Sequence, residues 1–351
     1  MSAVSLFPSR AVSVPGPRMP RGLALRQAAR LALASALALL AFCMQPAAAQ
    51  PDAWPTRPLR LIVPFPPGGA ADVIARAVAA KLGERLGQAV VVENRPGAGT
   101  IVAAQAVAQA APDGYTLSLA TNGQLAINPA LHAKLPYDPV KSFAPVGLVA
   151  STAFIIAVNA DSPIRTLPQL IADAKRNPGG LAFTSCGNGT TCHLTGELLK
   201  AQAGVDMLHV PFAGSVQAVT ALLGNQVQVA SDTVAILAPQ IRAGKLRGLV
   251  VTSAQRSAVT PDVPSAVEAG LPDLLAESWF GIVVPAATPP ELVQRLNREL
   301  AAITQGSDVR DQFARLGVEP LQSTPEQFAK LIDSDIVKWG RVVRTAKVTA
   351  Q

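Results

Sequence analysis

The residues best placed to do chemistry lie in Pro64-Phe65-Pro66-Pro67-Gly68-Gly69-Ala70-Ala71-Asp72, between an apolar run and a helical pattern. Leu59-Arg60-Leu61-Ile62-Val63 reads as a buried strand, and Ile74, Ala77, Val78 and Leu82 recur at helical spacing after the loop. Two prolines stiffen the turn, and Gly68 and Gly69 strip it of side chains, so a small anion can approach bare backbone N–H groups. A turn of this kind at a helix N-terminus suits a carboxylate or phosphate. Asp72 stands where an N-cap would satisfy the first-turn amides. A P-loop lysine and a dinucleotide fingerprint are both missing, so the pattern points to holding a ligand rather than transforming it.

A hydrolase would need a nucleophile, a base and an orienting group. The chain has no Gly-x-Ser-x-Gly elbow, and Cys192 and His193, though adjacent, point in different directions if helical. A reactive thiol at Cys186 or Cys192 is the enzyme alternative. These two are six positions apart, and in an oxidising compartment they can pair; two separate buried thiols are the other reading. His193 and His209 are the nearest imidazoles, and their spacing matches no usual metal pattern, so neither a metal nor a cofactor is expected.

The elements that position these residues begin only after a leader. Residues 1–49 carry five arginines and no acidic residue, then an apolar run from Leu31 to Phe42 and the small-residue signal Ala47-Ala48-Ala49. This reads as a secretory signal peptide, with Met19 an alternative start. No Arg-Arg pair marks twin-arginine export, and Phe42 before Cys43 argues against lipidation. Without the leader's five arginines the formal charge falls from +7 to +2, so the basic balance belongs to export and implies no nucleic-acid partner.

From Leu59 the chain alternates strand, glycine-bearing loop and helix. Ala89–Glu93 ends in Asn94-Arg95-Pro96-Gly97-Ala98-Gly99-Thr100, and Tyr115–Ala120 closes at Thr121-Asn122-Gly123. A second unit opens near Phe154–Val158 and repeats the pattern. Leu181–Thr184 leads into Ser185–Thr191, Met207–Val210 into Pro211–Ser215, and Val227–Ala230 into Ser231-Asp232-Thr233, each followed by a helix. Leu246–Val251 is its last strong strand, and Trp279–Val284 reads as a crossing strand. The tail is helical, opening at Pro289-Pro290-Glu291 and again at the capping box Thr324-Pro325-Glu326-Gln327, and is expected to pack on the first lobe. Loops at the carboxyl ends of parallel strands gather on one edge, where open α/β sheets bind ligands. The expected fold is therefore α/β and two-lobed, each lobe a mainly parallel sheet flanked by helices, with crossing segments and a cleft that closes by hinge motion. Lobe 1 is expected over 50–152 plus 275–351, and lobe 2 over 153–274.

Several motifs, in order along the mature chain, resemble the Bug-type receptors of the tripartite tricarboxylate transporter family. They are Pro64–Gly69 with Asp72 and Ala75-Arg76; Val92–Gly99; Pro112–Leu117; Leu135–Pro139; Gly187–Thr190 with His193-Leu194; and Gly244–Arg247. The resemblance implies a venus-flytrap periplasmic binding protein that captures small carboxylates. Its partners would be the transporter's membrane subunits or a sensor kinase, and a monomer is expected. It carries ligand contacts onto Phe65, Gly68, Gly69, Ala70 and Asp72 in the first loop, and onto Thr121, Asn122, Ser185, Gly189, Thr190, Phe212, Gly214, Ser215 and Asp232 in the facing loops. His193, at the start of a helix, is a further candidate, and Asp232 either bonds a ligand amine or hydroxyl or caps the following helix. The family usually has a lysine where this chain has Ala213 and an aromatic where it has Ser231, which weakens the case for a strongly anionic ligand.

Overall fold

The computed structural model describes residues 54–346 and 348–349, so the leader expected over 1–49 lies outside the described residues. Strand β1 (Leu59–Val63) is flanked by β2 (Val90–Asn94) and β3 (Thr116–Thr121), both parallel to it, in the spatial order β2-β1-β3. Helices α1 (Ala70–Leu86) and α2 (Ile101–Ala108) make the crossovers. β3 runs into a π-helical turn, Gly123–Ile127, and the short α3 (Asn128–Leu131).

The second lobe repeats this arrangement. After α4 (Leu167–Arg176), β5 (Ala182–Ser185) is parallel to both β6 (Leu208–Pro211) and β7 (Val229–Thr233). α5 (Thr191–Ala203), α6 (Ser215–Leu223) and α7 (Val234–Arg242) each follow one of these strands, and β8 (Leu246–Val251) comes after α7.

The element that joins the lobes is β4, Phe143–Asn159. Its first part, to Ala153, pairs antiparallel with β9 (Glu277–Pro285); from Phe154 it pairs with β7 on one side and β8 on the other. The sequence reading started this strand only near Phe154, because Pro145 and Gly147 interrupt the earlier run. Both sit at a register shift against β9, where a bulge accommodates a proline within a sheet. The expected crossing strand at Trp279–Val284 is corrected as well. It is the body of β9, held between β3 and the first part of β4, and the return crossing lies just before it, where the Ala276 amide donates to the Thr252 carbonyl at 3.1 Å.

The apolar pattern explains the two-sided burial. Along β4, Ile155 and Ala157 face the α6/α7 layer with Leu222 and Leu237, while Ile156 and Val158 face the α4/α5 layer with Leu170 and Leu199. Strands covered on both faces need this continuous apolar run rather than polar alternation. The tail forms α8 (Pro290–Gln305), α9 (Ser307–Leu316), β10 (Glu319–Pro320) and α10 (Pro325–Thr345). The capping box is present, with the Thr324 hydroxyl accepting from the Gln327 amide at 3.2 Å and the Gln327 side chain accepting from the Thr324 amide at 2.9 Å. α10 reaches further than expected. Phe328 and Ile332 pack with Trp279 in the first lobe, but Trp339 and Val343 join Phe154, Cys186, Cys192 and Leu194, which lie at or beyond the crossing.

Gly281 on β9 gives α10 its seat. A Cβ there would sit 2.3 Å from Phe328 Cζ. Gly281→Ala is expected to destabilise the protein by about 1–3 kcal/mol through overpacking, and Phe328→Leu added to it to recover part of the loss. Urea unfolding of both variants checks this; an unchanged midpoint for Gly281→Ala would contradict the packing described.

Candidate functional site

The first loop is built around Asp72, but not as a cap. α1 begins at Ala70, with Gly69 at the N-cap in an extended conformation and no side chain capping it. Asp72 is the third helical residue and turns back under the loop. Its Oδ2 accepts from the Gly68 amide at 3.0 Å and from Arg76 Nε at 3.0 Å, and its Oδ1 accepts from Asn94 Nδ2 at 2.9 Å. Burial alone would raise its pKa, but the bonds from Arg76, Gly68 and Asn94 outweigh it and hold the carboxyl below its usual value. Asn94 Nδ2 also donates to the Phe65 carbonyl at 2.9 Å. Asp72 thus braces the loop, leaving the first-turn amides, which have no intrahelical acceptor, free to face a ligand.

Four helix N-termini meet at one cavity of about 40 Å³. Gly69, Ala70 and Ala71 bring α1 to it, and Thr190 and Thr191 bring α5. Gly214 and Ser215 bring α6, and Thr233 opens α7. Thr121 and Gly123 add the end of β3 and the start of the π-helical turn. Each N-terminus carries a partial positive charge and unpaired amides. Among the described residues no lysine, arginine or histidine lines the cavity, so its attraction for an anion comes from backbone. The buried Thr121 Oγ1 has no hydrogen-bond partner among the described residues. Phe65, Phe154 and Phe280 supply apolar walls.

Among the described residues Asp232 is the cavity's one ionisable wall residue, and it is 1% exposed. Its Oδ1 accepts from the Thr233 amide at 2.7 Å and from Thr233 Oγ1 at 3.4 Å, and the Ser215 hydroxyl also bonds the carboxylate. Burial pushes the carboxyl up to about 6, against hydrogen bonds from Ser215 and Thr233 that pull it down. The α7 cap position belongs to Thr233, so Asp232 does not cap that helix. Cys186 and Cys192 form a disulfide whose sulfurs lie within 4.8 Å of the Asp232 carboxylate. Among the described residues this is the one grouping with metal-ligand atoms in range, and its sulfurs are spent on each other.

The other expected residues are placed elsewhere. Gly68 is turned away, its amide committed to Asp72. Asn122 latches the lobes: its Oδ1 accepts from Thr191 Oγ1 at 2.9 Å and Ser278 Oγ at 3.1 Å, and its Nδ2 donates to the Glu277 carbonyl at 2.8 Å. Gly189 approaches Asn128 and Leu131, and Phe212 lines an adjoining pocket of about 440 Å³ with Ala213. The far wall of that pocket is Gly97–Thr100, four consecutive residues with positive φ. Two of them, Ala98 and Thr100, are not glycine; such strain is concentrated at functional sites. Ser231 is buried without lining either pocket.

Ser185 and His193 belong to a histidine stack. Ser185 Oγ is 2.7 Å from His209 Nε2, and the His193 and His209 rings lie 3.8 Å apart and nearly parallel, beside Phe183. Burial lowers His193 to about 3, with help from His209 and Lys200, and lowers His209 to about 4, with help from Lys200. The folded protein therefore binds fewer protons than the unfolded chain between about pH 4 and 6.5, and their stabilising contribution is lost as pH falls through that window. His193→Phe is expected to flatten the acid loss of stability by about 1–2 kcal/mol at pH 5, read by urea midpoints at pH 5 and pH 7. An unchanged acid slope would contradict it.

Thr191, Gln217, Thr233 and Ser278 line the cavity without having been singled out from sequence, as do Phe154 and Phe280. The signal for the first three was available: each lies within three residues of a glycine- or threonine-marked helix start. Phe154 and Phe280 come from the lobe crossings, whose positions depend on strand pairing.

Residues 74–348 match the family model described as the tripartite tricarboxylate transporter family receptor. The protein BugT of Bordetella pertussis is 37% identical over 294 residues, covering 84% of this chain and 90% of BugT. A Rhodopseudomonas palustris protein solved with adipate is 34% identical, with a TM-score of 0.82, covering 84% of this chain and 99% of that one. MatC from the same organism, solved with bound malate, is 34% identical with a TM-score of 0.79, covering 83% and 100%.

Proposed function

The chain belongs to the tripartite tricarboxylate transporter receptor family, and from that premise we propose that it captures a small organic carboxylate between its lobes in the periplasm and delivers it to the transporter's membrane subunits. The observation that carries this reading is the convergence of four helix N-termini on one cavity that, among the described residues, no basic side chain lines. Such a site recognises a carboxylate through amides and dipoles. One terminus contributes about 0.3–2 kcal/mol, so micromolar binding, about 8 kcal/mol, draws on several termini and on enclosure. The relatives solved with adipate and malate support the carboxylate class. The family supports binding rather than catalysis, since relatives of this chain have been solved with carboxylates.

Closure is assigned to the two crossings, Ala153–Phe154 and the segment before Glu277, with lobe 1 taken as 50–152 plus 275–351 and lobe 2 as 153–274. Among the described residues no helix is long and apolar enough to cross a membrane, and export is assigned to the leader read over 1–49. The test is a thermal-shift screen of residues 50–351 against mono- and dicarboxylates, amino acids and aromatic acids. A ligand that binds only the folded state raises the melting temperature with concentration. A saturable shift with carboxylates supports the reading, and shifts confined to uncharged solutes would overturn it.

A further inference from the structure

The cavity is also lined by two sulfurs that the carboxylate reading leaves without a role. Cys186 follows β5 and Cys192 lies in the first turn of α5, and they are 7% and 3% exposed. They are bonded to each other, with Cα atoms 5.9 Å apart. The Asp232 carboxylate shares the same space, one of its oxygens and both sulfurs lying within 4.8 Å of one another. Thr233 and Ser215 hydrogen-bond that carboxylate and fix its direction, as partners of a ligating carboxylate do.

Reduction changes what this group can hold. Around a tetrahedral ion, ligand atoms about 2.0–2.3 Å from the metal stand roughly 3.8 Å apart. The three side chains already converge on that scale, so freed sulfurs need only rotate apart. Two thiolates and a carboxylate suit a thiophilic divalent ion such as zinc. A helix N-terminus stabilises a thiolate in its first turn, the position Cys192 has on α5. The helix termini around the cavity also repel a cation, but with about half a charge each, against three full charges touching the ion. Among the described residues no lysine, arginine or histidine lines the cavity to compete for these ligands. A cavity of about 40 Å³ admits an ion with a water as fourth ligand, since one water needs roughly 10–15 Å³.

We propose that Cys186, Cys192 and Asp232 form a redox-gated site for a thiophilic divalent metal, blocked in the disulfide form and opened by reduction. The reductant is a thiol or dithiol. The Cys186–Cys192 bond breaks, a disulfide forms between the reductant's two sulfurs, and their protons pass to the cysteine sulfurs. Metal entry then releases those two protons. Cys186 also lines the adjoining pocket of about 440 Å³, which gives the reductant its approach. The site uses the cavity's sulfurs and Asp232 rather than its amides, so it stands or falls independently of the carboxylate reading.

The experiment is anaerobic titration of residues 50–351 with Cd²⁺, before and after reduction by a phosphine that is then removed. Thiolate-to-cadmium charge transfer in the ultraviolet reads metal–sulfur bonding directly. The expected result is no band in the oxidised protein and one equivalent bound by the reduced protein. Cys192→Ser should abolish the band, and Asp232→Asn should keep it while weakening binding ten-fold or more. Circular dichroism confirms that the reduced protein and both variants are folded. A reduced protein that binds no cadmium, or that loses its fold, would overturn the proposal. Equal affinity in folded Asp232→Asn would also overturn it, leaving only a pair of thiols. Where that variant does not fold, a crystal structure of the reduced, zinc-loaded wild type decides, and an ion away from Asp232 has the same consequence.

Discussion

Gly69→Val is expected to weaken carboxylate binding about thirty-fold or more while leaving the fold standing. Gly69 occupies the N-cap of α1 with φ −81° and ψ 171°, a conformation open to any residue, so valine introduces no backbone strain. A Cβ at this position would point across the cleft, 3.9 Å from Ser215 Oγ on the opposite lobe. Its two methyl groups would then project into the space between the α1 and α6 termini. The expected loss is about thirty-fold or more in affinity, roughly 2 kcal/mol or above. Unfolding stability should fall by only about 1 kcal/mol, the cost of replacing a favoured N-cap glycine by valine. Gly68 is the contrasting position. It has φ +87°, and a Cβ there would meet Val216 at 3.2 Å, so a substitution would mix backbone strain with any effect on the ligand. Titration calorimetry with the best ligand of the thermal-shift screen, beside urea unfolding, checks both halves; wild-type affinity in a folded Gly69→Val protein would remove α1 from the site.

The second large effect runs against intuition, because removing a charged site residue should stabilise the empty protein. The Asp232 carboxyl is raised from 3.8 to about 6, and its largest cause is burial. Between these values the folded state binds more protons than the unfolded chain, so this group's contribution is favourable below about pH 4 and is lost as pH rises through 6. The shift of about 2 units corresponds to about 3 kcal/mol at higher pH. Asp232→Asn keeps the side chain's size and its acceptor for Thr233 but cannot ionise. It is expected to be about 1–3 kcal/mol more stable than the ligand-free wild type at pH 8, with the difference vanishing near pH 4. The histidine stack contributes with the opposite sign in both proteins and cancels in the comparison. Urea midpoints of the two proteins from pH 4 to 8 provide the measurement; a variant equally stable or less stable at pH 8 would contradict a carboxylate whose burial outweighs its hydrogen bonds. Sites that sacrifice stability for binding commonly behave this way.

Much of this architecture was legible because strand, loop and helix each carry their own signal. The run Leu59–Val63, the two glycines and the helical spacing after them specify β1, the turn and α1 almost residue for residue. The same holds for the loops at Thr190, Gly214 and Asp232, whose following helices begin where their polar or glycine starts indicate. β4 was legible only in its second part, because its first part depends on a bulge against β9 that no local pattern shows. Within the loops, sequence marks the neighbourhood but not the facing residue. Thr190 reaches the cavity, whereas Gly189, with φ +73°, passes its space to Asn128 and Leu131. Asp72 looked like a cap and is instead a brace, a distinction set by Asn94 and Arg76 converging on it from elsewhere. The burial of the Asp232 carboxyl was invisible for a similar reason, since it depends on the elements that close around it.

The central claim is that the converging helix termini are where a carboxylate sits. A crystal structure of residues 50–351 with the tightest ligand of the acid panel tests it most directly. The account predicts a ligand carboxylate within about 3.2 Å of the first-turn amides of α1, enclosed by Thr190, Gly214 and Ser215 from the opposite lobe. A carboxylate bound on basic side chains outside this cavity, with the α1 amides left to water, would contradict it.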